Sequence, residues 1–388
     1  MASPYPDGDR EKVASKLPGA LRQELKVRAA ELGIDIQDAV TTAVTDWQDH
    51  DQPLAQIDTA GADSFSTWLP PGLYESFKAT CTARGVSYTQ GLAQAVRRWL
   101  DTNPAANAQP VARIPERKIV CNQKGGVGKT AVAAGAAQAY AEAGKRVLLV
   151  DYDPQGHLSE QLGIEPIAPG QDSLVAHMCA EGKGDLRDLL VTIEGERFGG
   201  RLRVLPACFD GFLLDAKIAT SRSIRHQETT LERALKPLED DFDVIVIDCP
   251  PSLGIAMDAA IYYGRRRKGE RPKKSGVLIP VLAEDSSATA YVMLADQIGS
   301  LVEDLELQLD YLGLVVNLYD GRRGYVATSS LDKWQQLGDP PVLAVIGDLK
   351  EQREAVRKRR ALLDYAPQSD QAKAMRQIAG TAEPEAAS

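Results

Sequence analysis

Residues Lys118–Thr130 have the sequence KIVCNQKGGVGKT, and this stretch decides the fold of the larger part of the chain. An apolar run enters a glycine-rich loop, and residues that favour a helix follow it. The glycines let the backbone turn its N–H groups inward, and the start of the helix adds free N–H groups and a positive dipole end. Lys129 can then reach the β- and γ-phosphates of a nucleotide, and the Thr130 hydroxyl can bind Mg²⁺. The order of strand, loop and helix predicts a nucleotide-binding P-loop.

The loop departs from the usual P-loop pattern at one position. Gln123 stands where the pattern has its first glycine, and Lys124 directly precedes the glycines. The string KGGVGKT resembles the deviant phosphate loop of the ParA/MinD superfamily of ATPases. In that family the extra lysine, which Lys124 matches, crosses a dimer interface and contacts the ATP of the partner subunit. The resemblance implies ATP contacts from Lys124, Gly125, Gly126, Val127, Gly128, Lys129, Thr130 and Ala131.

Two acidic strand ends agree with this resemblance. The segment Arg146–Gly156 (RVLLVDYDPQG) resembles the first switch of partition ATPases, in which the acid matching Asp153 positions the attacking water. The segment Asp243–Gly254 (DVIVIDCPPSLG) carries Asp248, which matches the aspartate that holds Mg²⁺ through water. An acid at the end of an apolar strand is costly to bury unless it faces a cation. The resemblance implies metal binding by Thr130, Asp153 and Asp248, and catalysis by Lys124, Lys129 and Asp153.

Apolar runs alternate with helical segments from residue 117 onward. Strands are predicted at residues 117–121, 146–151, 202–206, 243–248, 276–281, 312–318 and 342–346, and the main helices at 129–144, 224–238, 286–303 and 323–336. Such strands indicate an α/β fold, a doubly wound and mostly parallel sheet covered on both faces. The segments VLIPV (277–281) and GLVVNLYD (313–320) resemble later strands of the same family, where Asn317 is placed to meet the adenine.

The first hundred residues contain a repeat, since residues 11–49 align with residues 63–101. The identical pairs include Leu17 with Leu69, Pro18 with Pro70, Gly33 with Gly85, and Trp47 with Trp99. Each copy begins with an alternating stretch that predicts a strand, and a helix follows the proline, at 20–32 or 72–84. The glycine ends that helix. Asp35 or Ser87 can cap a second helix that ends near the tryptophan.

This strand–helix–helix unit resembles the ribbon-helix-helix family, in which two units pair their strands over four helices. The family usually takes the units from two chains, whereas this chain carries both, so the resemblance implies a pseudo-dimer within one chain. Family members commonly place the outward side chains of the ribbon in the DNA major groove. Those side chains would be Lys12, Ala14, Lys16, Ser64, Ser66 and Trp68. Residues 1–112 hold 10 basic and 14 acidic side chains, so a docking module that does not read DNA remains an alternative.

The composition excludes several classes of protein. The 388 residues hold 45 Lys and Arg against 54 Asp and Glu, and a net charge of −9 excludes a uniformly basic coat. The five cysteines form no CxxC pair, which argues against a disulfide framework or zinc ribbon and fits a reducing cytosol. No apolar run approaches the ~20 residues that span a bilayer, and the tail lacks a basic amphipathic face, so no membrane partner is expected.

Two short basic segments stand out from the acidic average. The segment 265–274 (RRRKGERPKK) holds 7 basic and 1 acidic residue, and the segment 350–360 (KEQREAVRKRR) holds 6 basic and 2 acidic residues. Arg322 matches a position through which the family binds DNA without sequence preference. A charge run is usually a solvated face, yet two runs in an acidic chain favour a DNA-binding surface. The predicted DNA-binding residues are Arg265, Arg266, Arg267, Lys268, Lys273, Lys274, Arg322, Arg357 and Arg359, together with Lys12 and Lys16 of the ribbon.

These observations predict five segments along the chain. Residues 1–10 and 381–388 are expected to be disordered ends, because they are small, polar and without periodicity. The tandem ribbon-helix-helix-like module occupies residues 11–101, and a linker rich in Pro, Ala and Asn occupies residues 102–116. Residues 117–380 are expected to form the ATPase domain.

The resemblance implies a plasmid or chromosome partition ATPase with ATP and Mg²⁺ as cofactors. Such a protein dimerises on ATP, binds double-stranded DNA without sequence preference, and hydrolyses ATP slowly until a centromere-binding ParB-type partner stimulates it. It would act in the cytoplasm on the nucleoid. Two alternatives stay open: an ATP-gated transcriptional regulator or autorepressor that acts through the ribbon-helix-helix module, and a ParA-like ATPase that positions another cargo.

Overall fold

The computed structural model describes residues 10–50, 54, 56–59, 61–103, 114–221, 224–348 and 350–381. The predicted disordered ends, apart from residues 10 and 381, and residues 104–113 of the predicted linker lie outside the described residues. The chain folds as two compact units, Met1–Ala112 and Arg113–Ser388. Among the described helices, none is long and apolar enough to cross a bilayer.

The smaller unit contains two strands and four helices. In chain order they are β1 (Glu11–Pro18), α1 (Gly19–Glu31), α2 (Ile36–Gln48), β2 (Ala62–Leu69), α3 (Leu73–Ala83) and α4 (Tyr88–Thr102). Strands β1 and β2 pair antiparallel from Glu11 opposite Leu69 to Pro18 opposite Ala62. The predicted strand–helix–helix order of both copies is therefore confirmed, and the two strands form one ribbon within a single chain.

Buried and exposed side chains alternate along both strands of the ribbon, so one face of the ribbon is buried and the other is exposed. Val13, Leu17, Phe65 and Leu69 are buried with the apolar faces of the helices. The opposite face is exposed and consists of Lys12 opposite Trp68, Ala14 opposite Ser66, and Lys16 opposite Ser64. These are the six side chains that the sequence places on the outer face of the ribbon, because side chains alternate with a period of two along a strand.

The turns between the helices use the expected chemistry with one exception. Gly33 and Gly85 have φ values of 68° and 66°, the left-handed conformation that ends a helix most cheaply when glycine adopts it. The Ser87 hydroxyl accepts the N–H of Gln90 and caps α4 as predicted. Asp35 stands at the cap position of α2, but its side chain accepts no capping hydrogen bond, so the prediction of a side-chain cap there is wrong.

The larger unit is built from alternating strands and helices. They are β3 (Glu116–Val120), α5 (Lys129–Glu142), β4 (Val147–Asp151), α6 (His157–Gln161), α7 (Leu174–Met178), β5 (Val191–Thr192), β6 (Leu202–Leu205), α8 (Leu214–Thr220), α9 (Thr230–Leu235), β7 (Val244–Asp248), α10 (Ile255–Gly264), β8 (Gly276–Leu282), α11 (Asp285–Asp304), β9 (Tyr311–Tyr319), α12 (Tyr325–Gln336), β10 (Val342–Gly347), α13 (Lys350–Arg357), α14 (Leu362–Tyr365) and α15 (Asp370–Ile378). The seven predicted strands are confirmed, each end within one residue of its predicted position.

The strands form one eight-stranded sheet in the order β10-β9-β8-β3-β7-β4-β6-β5. Every neighbouring pair is parallel except the short edge strand β5, which runs antiparallel to β6. Helices α5, α14 and α15 cover one face, whereas α9, α10 and α11 cover the other. The predicted doubly wound sheet is therefore confirmed, with β3 in the interior between β7 and β8.

One helix prediction was wrong. Residues 224–238 do not form a single helix, because the α-helical part is limited to α9 and is flanked by 3-10 turns at Gln227–Thr229 and Lys236–Asp241. Pro237 lies in the first turn of the second 3-10 segment, where a proline has no N–H to give to the preceding helix. The two-residue strand β5 was not predicted, since two residues carry no readable alternation.

Candidate nucleotide site

The glycine loop lies at the carboxyl edge of the sheet, between the end of β3 and the start of α5. Gly126 and Gly128 have φ values of 74° and 87°, in the left-handed region that favours glycine. A Cβ at Gly128 would also lie 1.9 Å from the side-chain nitrogen of Asn317, so this position tolerates no side chain. In open α/β sheets, ligands bind outside the carboxyl ends of the strands, where the connections from two neighbouring strands run to opposite sides of the sheet. The predicted P-loop therefore stands where a nucleotide would bind.

An open cleft of roughly 700 Å³ lies beside the loop. One wall contains Gly125, Gly126, Gly128, Lys129, Thr130 and Ala131. The other parts of the wall come from Asp153 and Gln155 after β4, from α6, from Pro251 after β7, and from the C-terminal segment Gln352–Arg359. The structure thus brings the loop and both switch segments together around one space.

Lys129 is the first residue of α5, and it is 7% exposed. Its ammonium donates to the carbonyl oxygen of Lys124 at 3.2 Å, and it forms no ion pair with a carboxylate of the described chain. Burial lowers the pKa of Lys129, and the nearby Asp248 carboxylate opposes that change. A buried ammonium directly after a glycine loop, at the N-terminus of a helix, is suited to bind an anion.

Two carboxylates meet at adjacent strand ends beneath the loop. Asp151 and Asp248 are register partners of β4 and β7, and both are buried. One Asp151 oxygen accepts the backbone N–H and the hydroxyl of Ser159, at 2.8 and 2.7 Å. No hydrogen bond of regular geometry reaches the remaining oxygen of Asp151 or either oxygen of Asp248 within the described residues, although the Thr130 hydroxyl lies near Asp248. Buried carboxylate oxygens without donors indicate a cation in the functional state.

Electrostatics agree with that conclusion. Burial raises the pKa of Asp151 to about 6. Burial, with the charge of Asp151, raises the pKa of Asp248 well above its usual value, while the Thr130 hydroxyl and the Lys129 ammonium oppose the rise. A divalent cation would lower both pKa values by neutralising the pair. The donor set fits Mg²⁺, which typically takes one or two protein oxygens together with phosphate oxygens and water. Within the described parts of the chain, no cluster of three or more His, Cys, Asp or Glu could hold a metal alone.

Asp153 and Lys124 occupy different sides of the loop. Asp153 is partly exposed in the wall of the cleft, and one of its oxygens accepts the N–H of Gln155 at 3.0 Å. Lys124 is not among the residues that line the cleft, and its ammonium contacts the Glu284 carboxylate and the Ser286 hydroxyl at the start of α11. This pairing holds the pKa of Glu284 below its usual value. Glu284 is a partner of the loop that no pattern in the sequence singles out.

The structure gives Asn317 a contact with the loop itself. Asn317 is 5% exposed, and its side-chain N–H donates to the carbonyl oxygen of Val127 at 3.0 Å. It is not among the residues that line the cleft. Asn317 therefore supports the loop backbone, and its contact with an adenine stays a prediction.

The basic segment 265–274 is largely engaged within the larger unit. The Arg265 guanidinium pairs with Glu232 at 2.9 Å, and Arg267 pairs with Glu232 at 2.6 Å and with the buried Glu239 at 2.8 Å. Arg265 also stacks on the Tyr262 ring, 3.8 Å from its centroid. These two arginines fit the predicted DNA surface poorly, because their side chains are only 19% and 11% exposed and are held in ion pairs with carboxylates of the same unit.

Other predicted basic residues remain available at the surface. Lys268 is exposed, and no ion pair or hydrogen bond joins its side chain to the rest of the described chain. The side chain of Arg322 is 91% exposed and forms a bidentate pair with Asp320. Arg266 lies 3.9 Å from Asp310, while Lys273 and Lys274 contact Asp339 and Glu116. Arg357 and Arg359 lie elsewhere, in the wall of the cleft.

Comparison with known proteins gives consistent results. A family model described as an AAA domain matches residues 117–307. An uncharacterized protein of Mycobacterium tuberculosis is 33% identical over 203 residues, which are 52% of this chain and 58% of that protein. The chromosome partitioning protein ParA of Myxococcus xanthus is 34% identical over 209 residues, 53% of this chain and 66% of that protein. The chromosome-partitioning ATPase Soj of Thermus thermophilus is 30% identical over 263 residues, 68% of this chain and 93% of that protein.

A solved structure shows the same architecture for the larger unit. The septum site-determining protein MinD of Pyrococcus horikoshii, complexed with Mg-ADP, superimposes with a TM-score of 0.50 and 26% identity. The match covers 68% of this chain and 93% of that protein. The chain spans little more than half the length of the mycobacterial relative that it matches.

Proposed function

Because the chain belongs to the ParA/Soj family of P-loop ATPases, we propose that it is a partition-type ATPase that binds ATP with Mg²⁺ and hydrolyses it to ADP and phosphate. One observation carries the proposal: the glycine loop, the buried Lys129 ammonium and Thr130 line one cleft, and the buried Asp248 carboxylate interacts with both Lys129 and Thr130. The MinD structure with Mg-ADP supports the choice of ligand.

The chemistry follows from the positions of four side chains. The loop N–H groups and Lys129 would hold the β- and γ-phosphates and neutralise the charge that develops during transfer. Thr130 and Asp248 would hold Mg²⁺, with Asp153 beside them. When bound, Mg²⁺ supplies further charge neutralisation and orients the phosphates. Asp153 orients the attacking water from the wall of the cleft.

ATP-dependent dimerisation is the second part of the proposal. In the single chain, Lys124 pairs with Glu284 and Ser286 and lies outside the cleft wall. This position fits a lysine that serves a partner subunit better than one that serves its own nucleotide. The dimer would bind nucleoid DNA without sequence preference, and a centromere-binding ParB-type partner would stimulate hydrolysis.

Lys124→Ala is expected to bind ATP within about threefold of the unchanged protein but to remain monomeric, because the contact across the interface is lost. Light scattering with ATP and Mg²⁺ should show the mass doubling for the unchanged chain only. Lys183→Ala, a change at an exposed lysine, serves as the control and should dimerise normally. Dimerisation of the Lys124→Ala variant would contradict the trans role.

The DNA-binding surface can be tested at exposed residues alone. Reversing Arg322 and Lys268 to Glu is expected to weaken binding to random duplex about 10-fold and to reduce the salt slope by about 2, since each phosphate contact contributes about one unit. Fluorescence anisotropy at several salt concentrations measures both quantities. Arg265 and Arg267 are unsuitable for this test, because reversing them would break internal ion pairs.

A second candidate function rests on the exposed face of the ribbon. Lys12 and Lys16 stand on the outer side of β1, away from the core, which suits an ATP-gated regulator that reads DNA through the ribbon. In the same anisotropy assay, the matched variant Lys12→Glu/Lys16→Glu separates the candidates. If this variant loses DNA binding and the Arg322/Lys268 variant keeps it, the regulator is favoured over the partition ATPase.

A further inference from the structure

We propose that Arg357 and Arg359 bind the phosphate chain of the nucleotide held by the same subunit, as a second cationic wall of the cleft. This inference rests on the proposed ATP site. It assigns both arginines to the nucleotide instead of the DNA surface on which the sequence places them.

The first support is position. Helix α13 and the residues after it contribute Gln352, Val356, Arg357 and Arg359 to the cleft that the glycine loop opens into. A ligand seated on the loop therefore lies in the same space as two guanidinium groups that come from a distant part of the chain. No shared sequence motif links these arginines to the loop.

The second support is the distribution of partners along this basic segment. Arg353 pairs with Asp348, Arg360 pairs with Asp364, and Lys358 lies 5.7 Å from the centroid of the Tyr365 ring. The side chains of Arg357 and Arg359 form no hydrogen bond or ion pair with any described residue. Lys350 and Lys358 likewise form no ion pair with described residues, but among the basic residues of this segment only Arg357 and Arg359 line the cleft, so theirs are the unpaired charges that an anion in the cleft could meet.

The third support is the backbone at Arg359. Its φ of 53° places a bulky residue in the left-handed conformation that glycine usually takes at a helix end. The N–H groups of Arg359 and Arg360 donate to the carbonyls of Val356 and Ala355, both at 3.0 Å, so the turn is a regular helix-ending motif. Arginine does not stabilise this turn, since glycine would adopt the conformation with less strain. An arginine here would instead stabilise an anionic ligand in the cleft.

The chemistry of the cleft points to a polyanion. Lys129 and the loop N–H groups stand on one wall, and the two arginines stand on another. A ligand with one anionic group can bind either Lys129 and the loop or the two arginines. A chain of several phosphates can bind both sets of groups at once. Guanidinium groups suit this role, since their planar fork of donors matches phosphate oxygens.

The test compares ATP with adenosine on the full-length chain. Arg357→Ala/Arg359→Ala is expected to raise the Kd for a fluorescent ATP analogue at least 10-fold, and to leave the affinity for adenosine, measured by competition, within twofold. The control Lys358→Ala/Arg360→Ala changes equal charge in the same segment, and it should bind ATP within twofold of the unchanged chain.

A single variant separates a binding role from a structural one. Arg359→Gly relieves the left-handed strain, so it should raise the melting temperature while it weakens ATP binding. Opposite signs for stability and affinity are not expected of a residue that only maintains the turn. Arg359→Lys should recover part of the lost affinity, because the charge is restored without the fork.

The outcomes distinguish this inference from the function on which it rests. If the double variant binds ATP normally while Lys129→Ala does not, the role of the two arginines is overturned and the ATP site stands. If the double variant still binds ATP normally but no longer binds random duplex DNA, the two arginines belong to the DNA-binding surface and the inference is overturned. If the unchanged chain binds no ATP with Mg²⁺, both proposals fail together.

Discussion

Lys129→Ala is expected to lower kcat/KM for ATP hydrolysis at least 100-fold. Lys129 is the buried ammonium at the start of α5, and its only hydrogen bond among the described residues is to the carbonyl oxygen of Lys124. Removing one well-placed donor to developing charge typically costs about 10²–10³ in rate. Since alanine leaves the loop glycines and the helix unchanged, the loss would report the missing cation and not a missing loop.

Phosphate release under saturating Mg²⁺ measures this effect. The matched control is Lys145→Ala, which changes an exposed lysine just beyond the other end of α5 and should hydrolyse ATP at the rate of the unchanged chain. Circular dichroism of both variants tests that they fold. Hydrolysis by Lys129→Ala at the unchanged rate would show that this lysine does not contact the phosphates, and the proposed function would lose its central residue.

Arg117→Ala is expected to lower the free energy of unfolding of the larger unit by about 3–5 kcal/mol, the usual cost of breaking a buried ion pair by removing one partner. The Arg117 side chain is 0% exposed, and it contacts Glu270 at 2.6 Å, whose side chain is 7% exposed. Its other donors reach the carbonyl oxygens of Pro115, Tyr263 and Arg265, each at 2.9 Å. Alanine would leave the carbonyl oxygens without this donor and the Glu270 carboxylate without its cation, with only the Arg267 N–H and the Ser275 hydroxyl among the described residues still donating to it.

Urea denaturation followed by far-UV circular dichroism measures this loss, and hydrogen exchange of the β3 amides assigns the transition to the larger unit. Arg271→Ala changes an exposed arginine of the same segment and should alter stability by less than about 1 kcal/mol. The double variant Arg117→Met/Glu270→Met should recover part of the loss, because no charge is left unpaired. A cost below about 1 kcal/mol for Arg117→Ala would mean that the pair is not buried in solution.

The buried ion pair of Arg117 with Glu270 shows how a basic segment can stabilise the fold instead of binding DNA. The stretch RRRKGERPKK suggests a solvated or DNA-binding surface when only its charges are counted. Its Glu270 instead pairs with the buried Arg117 of β3, and its Arg267 holds the pKa of the buried Glu239 below the usual value despite the opposing effect of burial. Charge counting could not detect this, because the partners come from segments about 28 and 153 positions away.

Local pattern was sufficient for the strands and for the loop. Strands β4 and β7 to β10 are largely apolar runs bounded by polar residues, whereas β3 begins with three charged residues and ends with the apolar Ile119 and Val120. The loop follows from glycines placed between a strand and a helix. The repeat in the first hundred residues likewise predicted two strand–helix–helix units, since alternation and turn glycines are properties of neighbouring residues. The pairing of the two strands was implied by the resemblance to the ribbon-helix-helix family. Helix 224–238 was mispredicted where its apolar pattern continued through Pro237.

The doubly wound sheet, the P-loop at its carboxyl edge, and the acids at the ends of β4 and β7 could all be predicted from the amino-acid sequence. Each of these depends on the order and spacing of residues close in the chain. The contacts between distant polar groups became visible in the folded chain alone: the ion pair of Lys124 with Glu284, the hydrogen bond from Asn317 to Val127, and the placing of Arg357 and Arg359 in the cleft. The physical reason is that an ion pair or a cleft wall depends on which distant segments the fold brings together, and side-chain type alone does not encode that choice.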